Sequence, residues 1–234
     1  MTTDNSASGA AGGSAAPPAS GPASDLAPDL AEDLAYVRAL AEEGRDAPLV
    51  GGLFYAIWGG LCALAAFTVY LDGVGAIDLG GFAGWAPWVG AMTLGWAASL
   101  AIGRRAHRKP GAATVGNRMA FSVWFAVGVF LTAFWFTLMA VHDNYVDAGL
   151  KPYFIFGLMF PVAFGLYGVA FYATAVAARL SWLKIVAVAA LAFSMASLFF
   201  LSSVHQYLVA AAGSFFCAFL PGVILMRREP SEIV

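Results

Sequence analysis

The sequence predicts an all-α fold: a polytopic membrane bundle of six transmembrane helices. Hydrophobic residues make up 61% of the 234 and charged residues 11%, more apolar surface than a water-soluble domain of this size can bury. From residue 50 onward the chain is a series of six apolar runs, near 50–71, 85–102, 119–141, 153–177, 182–201 and 206–226. Each approaches the roughly 20 residues that a helix needs to cross the hydrocarbon layer. Between the runs, the lysines and arginines are segregated to one side.

Residues 1–28 are Ala, Gly, Ser and Pro with a few Asp. Such a segment cannot repay its ordering entropy and is expected to be a disordered tail. It lacks the basic start and apolar centre of a signal peptide, so it is expected to remain attached. Residues 29–45 form a second region, an amphipathic helix expected on the cytoplasmic side. Asp29 suits its N-cap, Gly44 its stop, and Leu30, Leu34, Val37 and Leu40 recur at helical spacing. Its acidic face, with Glu32, Asp33, Glu42 and Glu43, favours packing or docking to protein over anionic lipid.

The six-helix domain occupies residues 50–228. The second run is the shortest, and Trp85 and Trp88 mark its edge as an aromatic belt would. Small residues recur four apart in two runs: Ala91, Gly95, Ser99 and Gly103 in the second, Ala210, Ser214, Ala218 and Gly222 in the sixth. Such stripes let helix backbones approach closely, so both read as helix-packing seams. In the fourth run Pro161, between Gly157 and Gly165, removes a backbone donor and predicts a kink.

The basic stretch 103–118 fixes orientation. Arg104, Arg105, Arg108, Lys109 and Arg118 act as topology anchors. With Arg38, Arg45, Arg179, Lys184, Arg227 and Arg228 they leave only Lys151 on the other side of the membrane. Both termini are therefore expected in the cytoplasm.

Several function classes find no support. No basic folded face of the kind that binds nucleic acid is present, and HExxH, Walker and Rossmann motifs are absent. No Asp, Glu, Arg or His lies in the middle of a run, which argues against ion-coupled transport and proton pumping. Cys62 and Cys217 lie within apolar runs and read as packing residues. The candidates for cofactor binding are His142 and His205, at the outer ends of the third and sixth runs. If those helices were neighbours, the pair could reach a metal or the axial positions of a haem; the simpler reading is two interfacial polar residues, with no cofactor and no metal.

The polar joints GR at 44–45, PLVGG at 48–52, WGG at 58–60, GRR at 103–105, KPG at 109–111, VGNR at 115–118, LYG at 166–168 and RREPSEIV at 227–234 together resemble an uncharacterised family of bacterial six-span inner-membrane proteins. The resemblance covers about residues 29–234 and implies a bacterial inner-membrane location but no activity. The expected role is a non-enzymatic accessory or assembly subunit of a membrane complex, whose partners are the lipid bilayer and other membrane subunits or a second copy. A small permease or channel for a neutral or lipophilic compound is the alternative, and a haem- or metal-binding membrane subunit the third.

Overall fold

The computed structural model describes residues 32–38, 48–106 and 113–229. The tail 1–28, the proposed caps Asp29 and Gly44, and His107, Arg108 and Lys109 lie outside the described residues. Within the predicted amphipathic segment, 32–38 form a short helix, α1, whose residues are all exposed.

From Glu42 onward the chain is a second compact unit, and its described residues contain helices and no strand. The helices are α2 (Gly52–Gly73), α3 (Ala86–Ala106), α4 (Val115–Asp147), α5 (Pro152–Gly157), α6 (Met159–Ala177), α7 (Trp182–Phe199), α8 (His205–Ser214) and α9 (Leu220–Met226). A π-helical segment, Phe215–Phe219, joins α8 to α9, so the last predicted span is one helical rod with a local widening. Such a π-bulge relaxes the ladder where an extra residue must be accommodated, here just ahead of Pro221, which has no N–H to donate.

By length and composition, five helical segments can cross a membrane: Gly52–Gly73, Val115–Asp147, Phe154–Ala177, Trp182–Phe199 and His205–Met226. The protein is a helical membrane bundle. The predicted second span forms helix α3 but is not one of these five. It is long enough at 21 residues, but its Gly, Ser, Thr and Trp dilute the hydropathy that its Leu, Val and Ile supply.

Helix α2 is the axis of the bundle. It packs against α3, α8, the π-helical segment and α9, and its Tyr55 meets Trp124 of α4 and Phe171 of α6 at ring-centroid distances of 4.9 and 5.6 Å. The remaining large interfaces join α6 to α7 and α4 to α6. Aliphatic and aromatic side chains fill the centre: Phe171, Leu183 and Leu225 are fully buried. Helix α4 is peripheral. Only 11% of its most apolar window is buried in the protein, against 50% for the last span, and Phe125, Phe136 and Met139 are exposed on it.

Glycine sets the closest approach. On α2, a Cβ at Gly59 would fall on the Phe219 backbone nitrogen, and one at Gly222 on the Ala56 nitrogen. The two rods therefore touch backbone to backbone, which gains dispersion contact in a solvent where hydrophobic association contributes nothing.

Candidate functional site

Polar groups inside the bundle gather at two joints, and both arise where the backbone leaves a hydrogen-bonding group without its regular partner. The first is at the break between α5 and α6. The helical hydrogen-bond ladder is interrupted at Leu158, which keeps right-handed helical angles (φ −68°, ψ −19°), three residues before Pro161, which stands in the first turn of α6. The predicted kink is thus an interruption located one turn earlier. Proline at 161 deprives the Gly157 carbonyl of its i+4 donor, and the Gln206 amide replaces it: Nε2 donates to Gly157 O at 2.8 Å and to Ser197 O at 3.1 Å. Gln206 is 3% exposed. Ser194 of α7 donates to Pro161 O at 2.7 Å, so two helical rods, α7 and the last one, are tied by side chains to the interruption in a third. The absence of a side chain at Gly157 leaves room for this, since a Cβ there would lie 2.9 Å from Gln206 Oε1.

The second joint lies at the basic end of the bundle. Asn117, 1% exposed, accepts from the Val50 amide at 2.7 Å through Oδ1 and donates through Nδ2 to Pro48 O and Thr114 Oγ1, both at 3.1 Å. Both ends of its amide are thereby used, as burial requires. Beside it, Glu229 Oε1 accepts from the amides of Gly51 at 2.8 Å and Gly52 at 2.5 Å. These are unpaired donors of the first turn of α2, and Gly51 holds the left-handed conformation at φ 114°. A carboxylate from the chain's far end thus caps the central helix. The neighbouring Arg228 guanidinium stands 5.9 Å from the Trp182 ring centroid.

Deeper along α2, Trp124 Nε1 donates to Thr174 Oγ1 at 3.2 Å inside an aromatic cluster in which Trp124 meets Phe171 at 4.7 Å and Tyr167 at 5.4 Å. Among the described residues, the one buried side-chain nitrogen or oxygen without a hydrogen-bond partner is Trp182 Nε1.

The packing stripes occupy the following places. Ala91 and Gly95 are buried and Ser99 and Gly103 half-buried; Gly95 lies under the Trp58 ring and Ser99 Oγ accepts from Trp58 Nε1 at 2.9 Å, so this stripe faces α2. In the last rod Ala210, Ser214, Ala218 and Gly222 are all buried, and Ala218 and Gly222 meet α2 at Gly59 and Gly52. Of the topology anchors, Arg118 is exposed on α4 and the backbone of Arg104 and Arg105 is helical within α3.

The histidines have separate surroundings. His142 Nδ1 is 3.0 Å from Asp143 Oδ1 and its ring stacks on Phe156 at 5.3 Å. His205 is exposed, with Tyr70 and Phe200 nearest among the rings. Helix α4 packs chiefly on α5 and α6, whereas α8 packs on α2 and α7, so the two histidines stand on helices with different neighbours. The described residues contain no group of three or more His, Cys, Asp or Glu arranged to hold a metal ion. Cys62 and Cys217 are both free thiols.

Sequence reasoning singled out His205 and passed over Gln206, although it is Gln206 that points inward. It also passed over Asn117 and Glu229. For Gln206 a signal existed: Pro161 leaves the Gly157 carbonyl without a donor, and a buried carbonyl requires one. No protein-family model, curated protein or solved structure matches this chain.

Proposed function

We propose that this protein is a non-enzymatic accessory or assembly subunit of a membrane complex, acting through contacts between helices inside the bilayer. We further infer a bacterial inner-membrane location with both termini in the cytoplasm, which rests on the Lys and Arg distribution and on the family resemblance. The observation that carries the functional reading is helix α4. It contributes little to the core, yet it runs for 33 residues, about 50 Å at 1.5 Å per residue, against a hydrocarbon thickness of about 30 Å. It presents Phe125, Val129, Phe136 and Met139 outward, an apolar face continuous enough to receive a second helix. The buried polar side chains support the same reading, because they are engaged in tying helices together.

The test is isolation of the tagged protein from its native membrane in mild detergent, followed by native gel electrophoresis and mass spectrometry. A co-migrating membrane protein, lost when Phe125 and Phe136 are both replaced by Ala, is the expected result; a protein that runs strictly alone overturns the reading.

The interruption at Leu158 favours a second reading, a small permease for a neutral or lipophilic compound. A helix with an interrupted hydrogen-bond ladder, held by the Gln206 amide and the Ser194 hydroxyl, is the kind of element that transporters move. Solute flux in proteoliposomes, abolished by Gln206→Leu, is the result that this reading requires.

A further inference from the structure

The buried apolar side chains fall into two separate clusters, one around Phe171 and Leu183 and the other around Phe164 and Ala210, and Tyr167 is the half-buried residue packed against both. The core is therefore discontinuous at the level of Tyr167, midway along α6. Cys62, midway along α2, lies close enough to Tyr167 to interact with it electrostatically. No large interface joins α2 to α4 or α6, or α3 to either of them, so aromatic side chains span the gap. At the basic end Phe54 meets Phe121 at 6.4 Å, and at the opposite end Trp88 meets Phe160 at 5.5 Å. Between these two closures Cys62, Trp124 and Tyr167 keep accessible surface, which leaves a cleft between α3 and α4 that opens sideways to lipid.

The Tyr167 hydroxyl is the polar group of this cleft. No described residue shares a hydrogen bond with it, and it is not sealed in, because Trp182 Nε1 is the one enclosed side-chain nitrogen or oxygen without a partner among the described residues. Its ring neighbours, Trp124 at 5.4 Å and Phe164 at 6.1 Å, carry no acceptor oxygen on their side chains. Tyr55, by contrast, has Thr174 and Trp124 as hydrogen-bonding neighbours. Halfway across a bilayer no water is at hand, so an unmatched hydroxyl is costly there and requires an explanation. Phenylalanine would fill the same place without that cost.

We propose that the cleft between α3 and α4 binds an uncharged lipophilic carbonyl compound of the quinone class, whose carbonyl oxygen accepts from the Tyr167 hydroxyl. An O–H without an acceptor selects an acceptor. Aromatic side chains along the cleft suit a flat ring, which they meet in offset or edge-on contact. No Asp, Glu, Lys or Arg lies in the middle of α2 or α6, so the ligand carries no charge. The sideways opening lets a hydrocarbon tail stay in the bilayer while the ring enters. A mostly apolar lining with a single placed polar group is the usual make-up of a small-molecule site. The assignment rests on neither functional reading above.

Native mass spectrometry of the purified full-length protein tests it, with equal amounts of a trimethyl decyl para-benzoquinone and the matching trimethyl decylbenzene as probes. The fully substituted quinone ring leaves no open position for addition of a thiol. The parent should retain the quinone several-fold above the hydrocarbon. Tyr167→Phe keeps the ring and removes the donor, so quinone retention should fall about fivefold, the weight of one net hydrogen bond, with the hydrocarbon unchanged. The ligand-free Tyr167→Phe protein should melt no lower than the parent, since its hydroxyl had no partner to lose. Cys62→Phe should fill the cleft and abolish retention of both probes, with circular dichroism reporting that the helices persist. If Cys62→Phe unfolds the protein, Tyr167→Phe decides alone. Equal retention of both probes by the parent, a preference untouched by Tyr167→Phe, a lower melting temperature for that variant without ligand, or full quinone retention by a folded Cys62→Phe protein each overturns the proposal.

Discussion

The Gln206 side-chain amide donates a 2.8 Å hydrogen bond to the carbonyl of Gly157, the carbonyl that Pro161 leaves without its helical donor. A defect in one helix is thus repaired by a side chain from another. The pairing yields a prediction about coupling rather than magnitude. Hydrogen bonds between membrane helices average only about 0.6 kcal/mol and reach about 1.7. Gln206→Leu should therefore cost about 1–2 kcal/mol for its two acceptors. In a Pro161→Ala background the backbone N–H regained at that position can serve Gly157, and the cost should fall by about half. Reversible unfolding of the four proteins in mixed micelles measures this, and strictly additive effects would show that the two sites are not linked.

Glu229 supplies the second prediction. Replacement by Ala removes the acceptor for the Gly51 and Gly52 amides, a loss comparable to that of an N-cap, about 1 kcal/mol. Hydrogen exchange should accelerate in the first turn of α2 and not near its end at Gly73. Glu229→Gln keeps an acceptor oxygen and should recover part of the protection.

The glycines provide an internal control. Gly59→Ala places a methyl group on the Phe219 backbone, where neither side can yield, and should destabilise by roughly 3 kcal/mol, at the upper end for overpacking. At Gly128 of α4 a Cβ meets nothing within 4 Å, so Gly128→Ala should stabilise by up to about 1 kcal/mol through helix propensity. Melting temperatures in one detergent, moving in opposite directions for the two substitutions, are the expected outcome.

Asn117→Leu removes the partner of three groups at once and leaves the Val50 amide buried without an acceptor. A loss of about 1–3 kcal/mol follows from that desolvation. The discriminating reading is local: limited proteolysis near Pro48 should rise well before the helical signal falls.

Orientation gives the last prediction. Exchanging Arg104, Arg105 and Arg108 for Glu removes the densest anchor from the basic side, so reporter fusions on either side of 103–118 should show mixed topology. An unchanged pattern would mean that other charges set the orientation.

The sequence by itself determined the membrane class and the positions of five spans, because hydropathy over about 20 residues is a local property that lipid reads directly. It also located the small-residue stripes, since helical spacing alone assigns residues to a face. It was least decisive for the second run, where Trp85 and Trp88 suggest a belt but Gly and Ser lower the apolar content of α3. Only the tertiary structure decided which polar residues turn inward. Gln206 and His205 are adjacent near the start of the last rod, and nothing local distinguishes the one that reaches Gly157 from the one beside Tyr70. Asn117 and Glu229 likewise look like end markers until α2, α4 and the carboxyl-terminal segment meet. Their roles depend on donors and acceptors contributed by segments up to 178 residues away in the chain, and such pairings arise only when the helices pack.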